Sequence, residues 1–426
     1  MRNRGSGRCG FRPPPRPDSP HVRTALARPA AALLLVLATA LSACQDPSGV
    51  GLGLIGDEVD DPNSRVAPAD SAFFTERDEI TYGFASGTST PQQARVLVGE
   101  LTDPTFGDAR AIGYIDFRKS ATEEFDEDRT IAEAQIRLPR AAVYGDTTAT
   151  LPIEIREVTG SWTPDDLEPD ATLETGDLLD TQMVAVEDSV IALDLPQAFV
   201  ADRDTLFRGS IDTNFEGFEL RVPEGMGPMP GAVLGLAADR GTLRLVSAPY
   251  TRDGEVTRDT VSYPLVEVFT SLERGAPADV PDRRLLRDGA GEALGLRFDF
   301  SPFTQSPLAN AALRLPIDRT LLASSGTFAR PAFENVHVFA VVNDTTRVFL
   351  FERAVPEDDE VLTFRAGELT SAIQGLLLDL DRFSGFEISP PSTTLTLGAL
   401  PVRVEPETTG DVRRPRMSLV LVGPPS

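Results

Sequence analysis

The sequence predicts an all-β protein: two tandem jelly-roll, or β-sandwich, domains, each with one short helix. Three observations carry this. Short runs of alternating apolar and polar residues recur along the chain, the pattern of strands with one buried face. Glycine (34) and proline (35) punctuate the whole length, so no long helical period survives. The two halves also repeat each other in order, as copies of one unit would.

The N-terminal segment is an address rather than part of that fold. Arg23 and Arg28 precede an apolar run, Ala30 to Leu41. A spanning helix needs roughly 20 apolar residues, so this run is too short to cross a membrane. A basic flank, a short apolar core and small residues before a break make a secretory signal. Leu41-Ser42-Ala43-Cys44 then resembles the lipobox of bacterial lipoproteins. That resemblance implies cleavage before Cys44, a signal peptide at 1–43 and a diacylglycerol on the Cys44 sulfur. Each buried CH₂ of an acyl chain adds roughly 0.8 kcal/mol, so two or three chains hold a domain firmly to a membrane. Residues 1–21 share none of these features, and translation is expected to start at Val22. The expected location is the outer membrane or cell surface.

Residues 44–70 carry Gly, Pro and acids with little alternation and read as a tether. The first sandwich is expected over 71–263. There "QIRLP" sets Ile136 and Leu138 on one face, and "PIEIREV" does the same for Ile153 and Ile155. A short helix is expected from Leu195. Asp253-Gly254 marks a hairpin turn. The second sandwich is expected over 264–426. "GLRFDF" puts Leu296, Phe298 and Phe300 inside, and a second helix is expected from Glu368.

The repeat is specific. Asp116-Phe117 answers Asp299-Phe300, an offset of 183. Ala132, Ala134, Arg137, Leu138 and Pro139 answer Ala309, Ala311, Arg314, Leu315 and Pro316 at an offset of 177. "GFELRVP" from Gly217 answers "GFEISPP" from Gly385 at 168, and "LRLVSAP" from Leu243 answers "MSLVLVGPP" from Met417. Shorter loops in the second copy explain the falling offset.

The string "YIDF…AQIRLP…IEIREVTGSWT…LDLPQAFV…GFELRVP" resembles the DNRLRE-type domain of secreted bacterial proteins. This implies a jelly roll related to some carbohydrate-binding modules. "CQDPSGVGLGLIGDE" and "VLVGELTDPTFGDARAIGYIDF" are similar to an uncharacterised domain-of-unknown-function family of bacterial surface lipoproteins. In that family an Asp-Pro-x-Phe-Gly turn, here Asp103, Pro104, Phe106 and Gly107, precedes the first core strand. Neither resemblance implies an activity, because a shared fold does not transfer function.

Composition excludes several chemistries. Seven Arg and one Asp lie in 1–43, so the net charge of −25 becomes −31 from Cys44 onward. Such an acidic surface disfavours nucleic acid. From Cys44 onward the only histidine is His337, expected opposite Glu154 on the polar side of its strand. A Ser-His-Asp or Cys-His site is therefore not expected, and neither is a zinc site. No cofactor is expected. The acidic runs from Asp57, Glu123 and Pro356 lack the spaced calcium-loop pattern and read as solvated loops, with Ca²⁺ kept as the alternative. An acidic-pair glycoside hydrolase needs only two carboxylates, which so acidic a chain always supplies. Sugar binding needs aromatic faces. With one Trp, five Tyr and 23 Phe, the candidate rings are Trp162 and Tyr144, while Phe without a polar handle reads as core. For Trp162 the resemblance to the DNRLRE-type domain, which often has a Trp there as part of its fold, implies packing ahead of binding. The expected function is a non-enzymatic, membrane-anchored binding or scaffolding module of the cell envelope. Its partners would be the membrane, through the lipid, and a polysaccharide or an envelope protein.

Overall fold

The computed structural model describes residues 64–76, 83–85, 95–118 and 129–422, apart from 169, 210, 212–214, 225–230, 290, 291, 304–306, 324, 325, 332, 344, 345, 379–382, 392–394 and 406–412. All of these lie in one compact unit, Asp60–Ser426. The signal peptide, Cys44 and the tether as far as residue 63 lie outside the described residues.

The protein is all-β. The chain enters through β1 (Ser64–Glu76), β2 (Gly83–Ala85), β3 (Arg95–Asp103) and β4 (Gly107–Phe117). Next come β5 (Ile131–Asp146), β6 (Thr150–Val158), β7 (Thr175–Ala185) and β8 (Val190–Asp194). Two short helices, α1 (Gln197–Asp202) and α2 (Asp204–Gly209), precede β9 (Phe218–Arg221), β10 (Ala232–Ala237) and β11 (Thr242–Ser247). A small hairpin, β12 (Tyr250–Arg252) and β13 (Glu255–Thr257), leads to β14 (Thr260–Arg274). Its turn is the expected Asp253-Gly254, with φ of 53° and 87°. The second series runs β15 (Arg283–Arg287), β16 (Glu292–Phe298), β17 (Leu308–Pro316) and β18 (Phe328–Ala329). It continues with β19 (Asn335–Val342), β20 (Thr346–Ala354), β21 (Val361–Phe364) and helix α3 (Gly367–Leu378). It ends with β22 (Phe383–Ser389), β23 (Ala399–Arg403) and β24 (Arg416–Leu421).

Strand pairing shows two copies of one plan. In the first copy, neighbours run β7-β6-β9-β4-β14-β11-β5-β8. In the second they run β20-β19-β22-β16-β1-β24-β17-β21. The two orders match strand for strand, with β1 standing where β14 stands. Register is kept too. Ile136 faces Leu243 in the first copy and Leu313 faces Met417 in the second. Ile115 faces Phe218, and Leu296 faces Phe386. Those pairs align Asp116-Phe117 with Arg297-Phe298, so the Asp299-Phe300 match sits two residues beyond its structural counterpart. β3 and β10 pair in the first copy as β15 and β23 do in the second.

Two boundaries differ from the sequence reading. The division at 263/264 falls inside β14, which pairs with β11 and then β4 along its length. Residues 64–70, read as tether, belong to β1 and pair with β24 and β16. Alternation alone could not reveal this, because the partners lie more than 200 residues away in the chain.

Each sandwich has its own core. Val96, Ile115, Phe117, Ile136, Leu138, Ile153, Phe218 and Leu245 are buried in the first. Leu296, Leu313, Leu315, Val338, Phe364, Phe386 and Leu419 are buried in the second. α3 buries Leu369, Ile373, Leu376 and Leu377, one stripe of a helix, against the second core. Among the described residues the first sandwich has two six-residue helices where one was expected.

Candidate functional site

The repeat places two equivalent outer sheet faces in the molecule, and their chemistry differs. In the first sandwich a row runs Arg156, Glu219, Tyr114, Phe269 across four strands. Glu219 is buried, and the Tyr114 hydroxyl donates to its Oε2 at 3.0 Å. Arg221 lies 3.4 Å and Arg156 3.9 Å from its Oε1. Burial, followed by the charge of Glu219, pushes the Tyr114 hydroxyl well above its ordinary value. The segment between β6 and β7 closes this face. Trp162 packs there with Val158, Tyr114 and Phe269. Its Nε1 donates to the Glu216 carbonyl at 2.8 Å, and the Leu173 N–H donates to the Tyr114 oxygen at 3.3 Å. Trp162 is 9% exposed. Of the two roles open to Trp162, packing and a binding surface, the structure shows packing, and its place as a candidate binding ring is corrected: its ring is buried and its N–H is spent on a backbone carbonyl.

Among the described residues, no such cover lies over the equivalent face of the second sandwich. β19 and β20 pair antiparallel from Asn335–Ala354 to Val342–Thr346, and Asn343 follows β19 at φ 53°. Inward residues Val336 and Val338 enter the core, leaving His337 and Phe339 on the outer side. Across the pair, Phe339 faces Phe349, and on the other side it faces Glu387. The three rings form a cluster. Phe339 and Phe349 are 5.6 Å apart, and His337 is 5.3 Å from Phe349, both edge-to-face. His337 Nε2 lies 3.6 Å from Glu352. Beside the rings, Arg347 Nε donates to both oxygens of buried Glu387 at 3.0 and 2.8 Å. Phe349 is 53% exposed and Val348 45%. Glu387 and Glu219 are the same position of the repeat, on the Gly-Phe-Glu strand. One is sealed under a loop, while the other lies beside an accessible aromatic patch. Sequence reasoning passed over this patch because it treated Phe as core material. The available signal was "TRVFLFER", where consecutive large apolar residues on a strand cannot all point inward.

The Asp-Pro-x-Phe-Gly turn has a different role. The Asp103 carboxylate accepts from the N–H groups of Thr105 (2.8 Å) and Phe106 (3.0 Å), which fixes the turn. It also accepts from the Tyr144 hydroxyl at 2.9 Å and from Arg330 of the second series at 2.8 and 3.2 Å. Burial alone would raise Asp103, but these donors outweigh it and hold the carboxyl below its usual range. Arg330 lies 5.3 Å from the centroids of both Phe106 and Phe328. Phe106 is buried with Leu285 and Ala399. A Cβ on Gly107, at φ 81°, would meet the Ala276 carbonyl at 2.5 Å. The turn is thus a lock between the two sandwiches, reinforced by β18 pairing with β5 and by a buried cluster of Leu97, Leu101, Leu272, Leu395 and Leu397. Tyr144 belongs to the lock. It is 2% exposed, so its expected place on a binding surface is corrected: Asp103 takes its hydroxyl and Phe328 covers its ring.

Among the described residues, no group of three or more His, Cys, Asp or Glu is placed to hold a metal ion. The run from Pro356 to Glu360 is exposed, and the runs from Asp57 and Glu123 lie outside the described residues. Burial raises two carboxyls toward neutral pH, Asp116 and Asp288, the latter to about 6. Asp116 is pushed up to about 7 by burial, with Glu267 and Glu216 adding to the rise. Glu267 faces it across β4 and β14 and accepts from Arg118 at 2.8 Å.

No family model matches the chain, and no curated protein matches it. Among solved structures, one from Parabacteroides distasonis, named as a secreted protein, shares 9% identity over 84% of this chain and 97% of its own, with a TM-score of 0.20. The structure of infectious bursal disease virus Gx strain shares 9% identity over 82% of this chain and 76% of its own, with a TM-score of 0.11. Overlaps at these scores carry no argument about function.

Proposed function

We propose that this protein is a non-enzymatic, lipid-anchored binding or scaffolding module of the cell envelope, and that the outer face of β19, β20 and β22 is its binding surface. The supporting observation is the contrast between the two copies. The same sheet face is sealed by Trp162 in one and left accessible in the other, with Phe349, Phe339, His337 and Arg347 exposed or half-buried there. An exposed aromatic face beside a charged, planar group is suited to stacking on a sugar ring, and this favours a polysaccharide ligand. Anchoring rests on the lipobox-like Leu41–Cys44 segment; no described helix is long and apolar enough to cross a membrane.

A second reading, a structural subunit of an envelope assembly, is supported by the outermost strands. β7 carries exposed Leu178 and Met183, and β20 carries exposed Val348 and Phe349. An edge docked on a protein partner would bury them. The test is binding of the chain from Gln45 onward to a glycan array, with Phe349→Ser alongside. Glycan binding that is lost in the variant supports the polysaccharide reading. Silence on the array from folded protein shifts the proposal to protein partners. A separate test covers the anchor: Cys44→Ser should move the protein from the membrane to the soluble fraction.

A further inference from the structure

We propose that β1 is a separable donor strand, and that the second sandwich has an acceptor groove for it between β16 and β24. On this reading, whatever lies upstream of Ser64 is held by the second sandwich through the pairing of β1.

Four observations converge. First, β1 is paired along its length, its first half with one strand and its second half with another. Ser64–Pro68 pairs with Val420–Arg416, and Ala69–Glu76 pairs with Phe298–Glu292, antiparallel in both cases. Second, the groove is a required position of the fold. The first sandwich fills it with β14, whose Thr260–Pro264 pairs with β11 and whose Leu265–Arg274 pairs with β4. β1 changes layers midway in the same manner. Third, among the described strands β1 alone joins the layer β20-β19-β22-β16 to the layer β24-β17-β21 by backbone pairing. Without it, two facing strand edges would expose a row of unpaired N–H and C=O groups. Fourth, the whole first sandwich separates β1 from its partners in sequence, so the strand reaches the groove as an added segment would. β14 reaches its own position directly from β13.

The physics is that of strand addition, in which main-chain hydrogen bonds to an exposed strand edge, here β24 for the first half and β16 for the second, supply the affinity. On this reading β1 stays paired when the chain is cut between Glu76 and Gly83. Ser64 lies opposite Val420, near the end of the last strand. An anchor upstream of Ser64 therefore reaches the C-terminal sandwich first, through β1, and the first sandwich both through the chain that continues to β2 and through the contacts around Asp103 and Arg330. This inference concerns strand retention and is independent of the ligand and lipid readings above.

The experiment uses the chain from Gln45 onward with an affinity tag at its N-terminus. A protease site is inserted between Glu76 and Gly83, and a reference version carries the site before Ser64. Both are bound to resin, cut to completion and washed in native buffer. The reference cut should lose the body to the wash. The cut after Glu76 should retain the body at the level of uncut protein and lose it only in denaturant. Release of the body in native buffer after the Glu76 cut would overturn the proposal.

Discussion

At the scale of single residues, the most consequential group is Asp103. Its side chain is fully buried and its main cationic partner, Arg330, comes from the other sandwich. Removing one partner of a buried pair leaves an uncompensated charge, which typically costs about 3–5 kcal/mol. Arg330→Ala should therefore destabilise the protein by about 3 kcal/mol in urea unfolding at pH 7, and adding Asp103→Asn should recover part of the loss. Additive losses in the double variant would show that the two residues do not act together. Asp116 predicts the opposite pH behaviour from an ordinary carboxylate. Its folded value is about 7 and its unfolded value 3.8, so the folded state holds the proton more tightly. Its contribution is fully present below the unfolded value and is lost as pH rises through about 7. Each tenfold change in proton affinity is about 1.4 kcal/mol. Asp116→Asn should thus gain about 1–3 kcal/mol over the parent at pH 8 and nothing at pH 4. A gain of equal size at both pH values would contradict the assignment.

At the scale of elements, the segment carrying Trp162 decides how the two copies differ. Truncating a buried Trp costs about 3–5 kcal/mol, so Trp162→Ala should destabilise the first sandwich on that scale. Trp162 is the chain's one tryptophan. Its emission should be blue-shifted in the native protein and should shift red with unfolding of the first sandwich. A native emission matching free tryptophan would rule out the cover. Elements were legible in the sequence where their signal is local. The alternations at Ile136 and Ile153, the Asp253-Gly254 turn and the stripe of Leu369, Ile373 and Leu376 each need only neighbours in the chain. Elements defined by distant partners were not. β1 is completed by strands more than 200 residues away. Tyr144 finds Asp103 only after two strands have folded back, and nothing near Trp162 in sequence shows that Tyr114 and Phe269 receive it.

At the scale of the whole molecule, duplication is the organising fact. It was readable because core and turn positions kept their residue types in both copies. The differences between the copies carry the functional argument. One outer face was closed by an added segment, the other kept an accessible aromatic patch, and a turn motif became the lock that joins them. Trp162 packs, as the resemblance implies, and Tyr144, a candidate for a binding surface, is buried against Asp103 and Phe328. The patch is built from Phe and His on an outermost pair of strands, where exposure depends on what the neighbouring loop does. The most direct test of this account is glycan-array binding by the chain from Gln45 onward, with Phe349→Ser and with Trp162→Phe, in calcium and in chelator. The account predicts binding that Phe349→Ser abolishes and Trp162→Phe leaves intact. Binding that survives Phe349→Ser would contradict the placement of the site on the second sandwich.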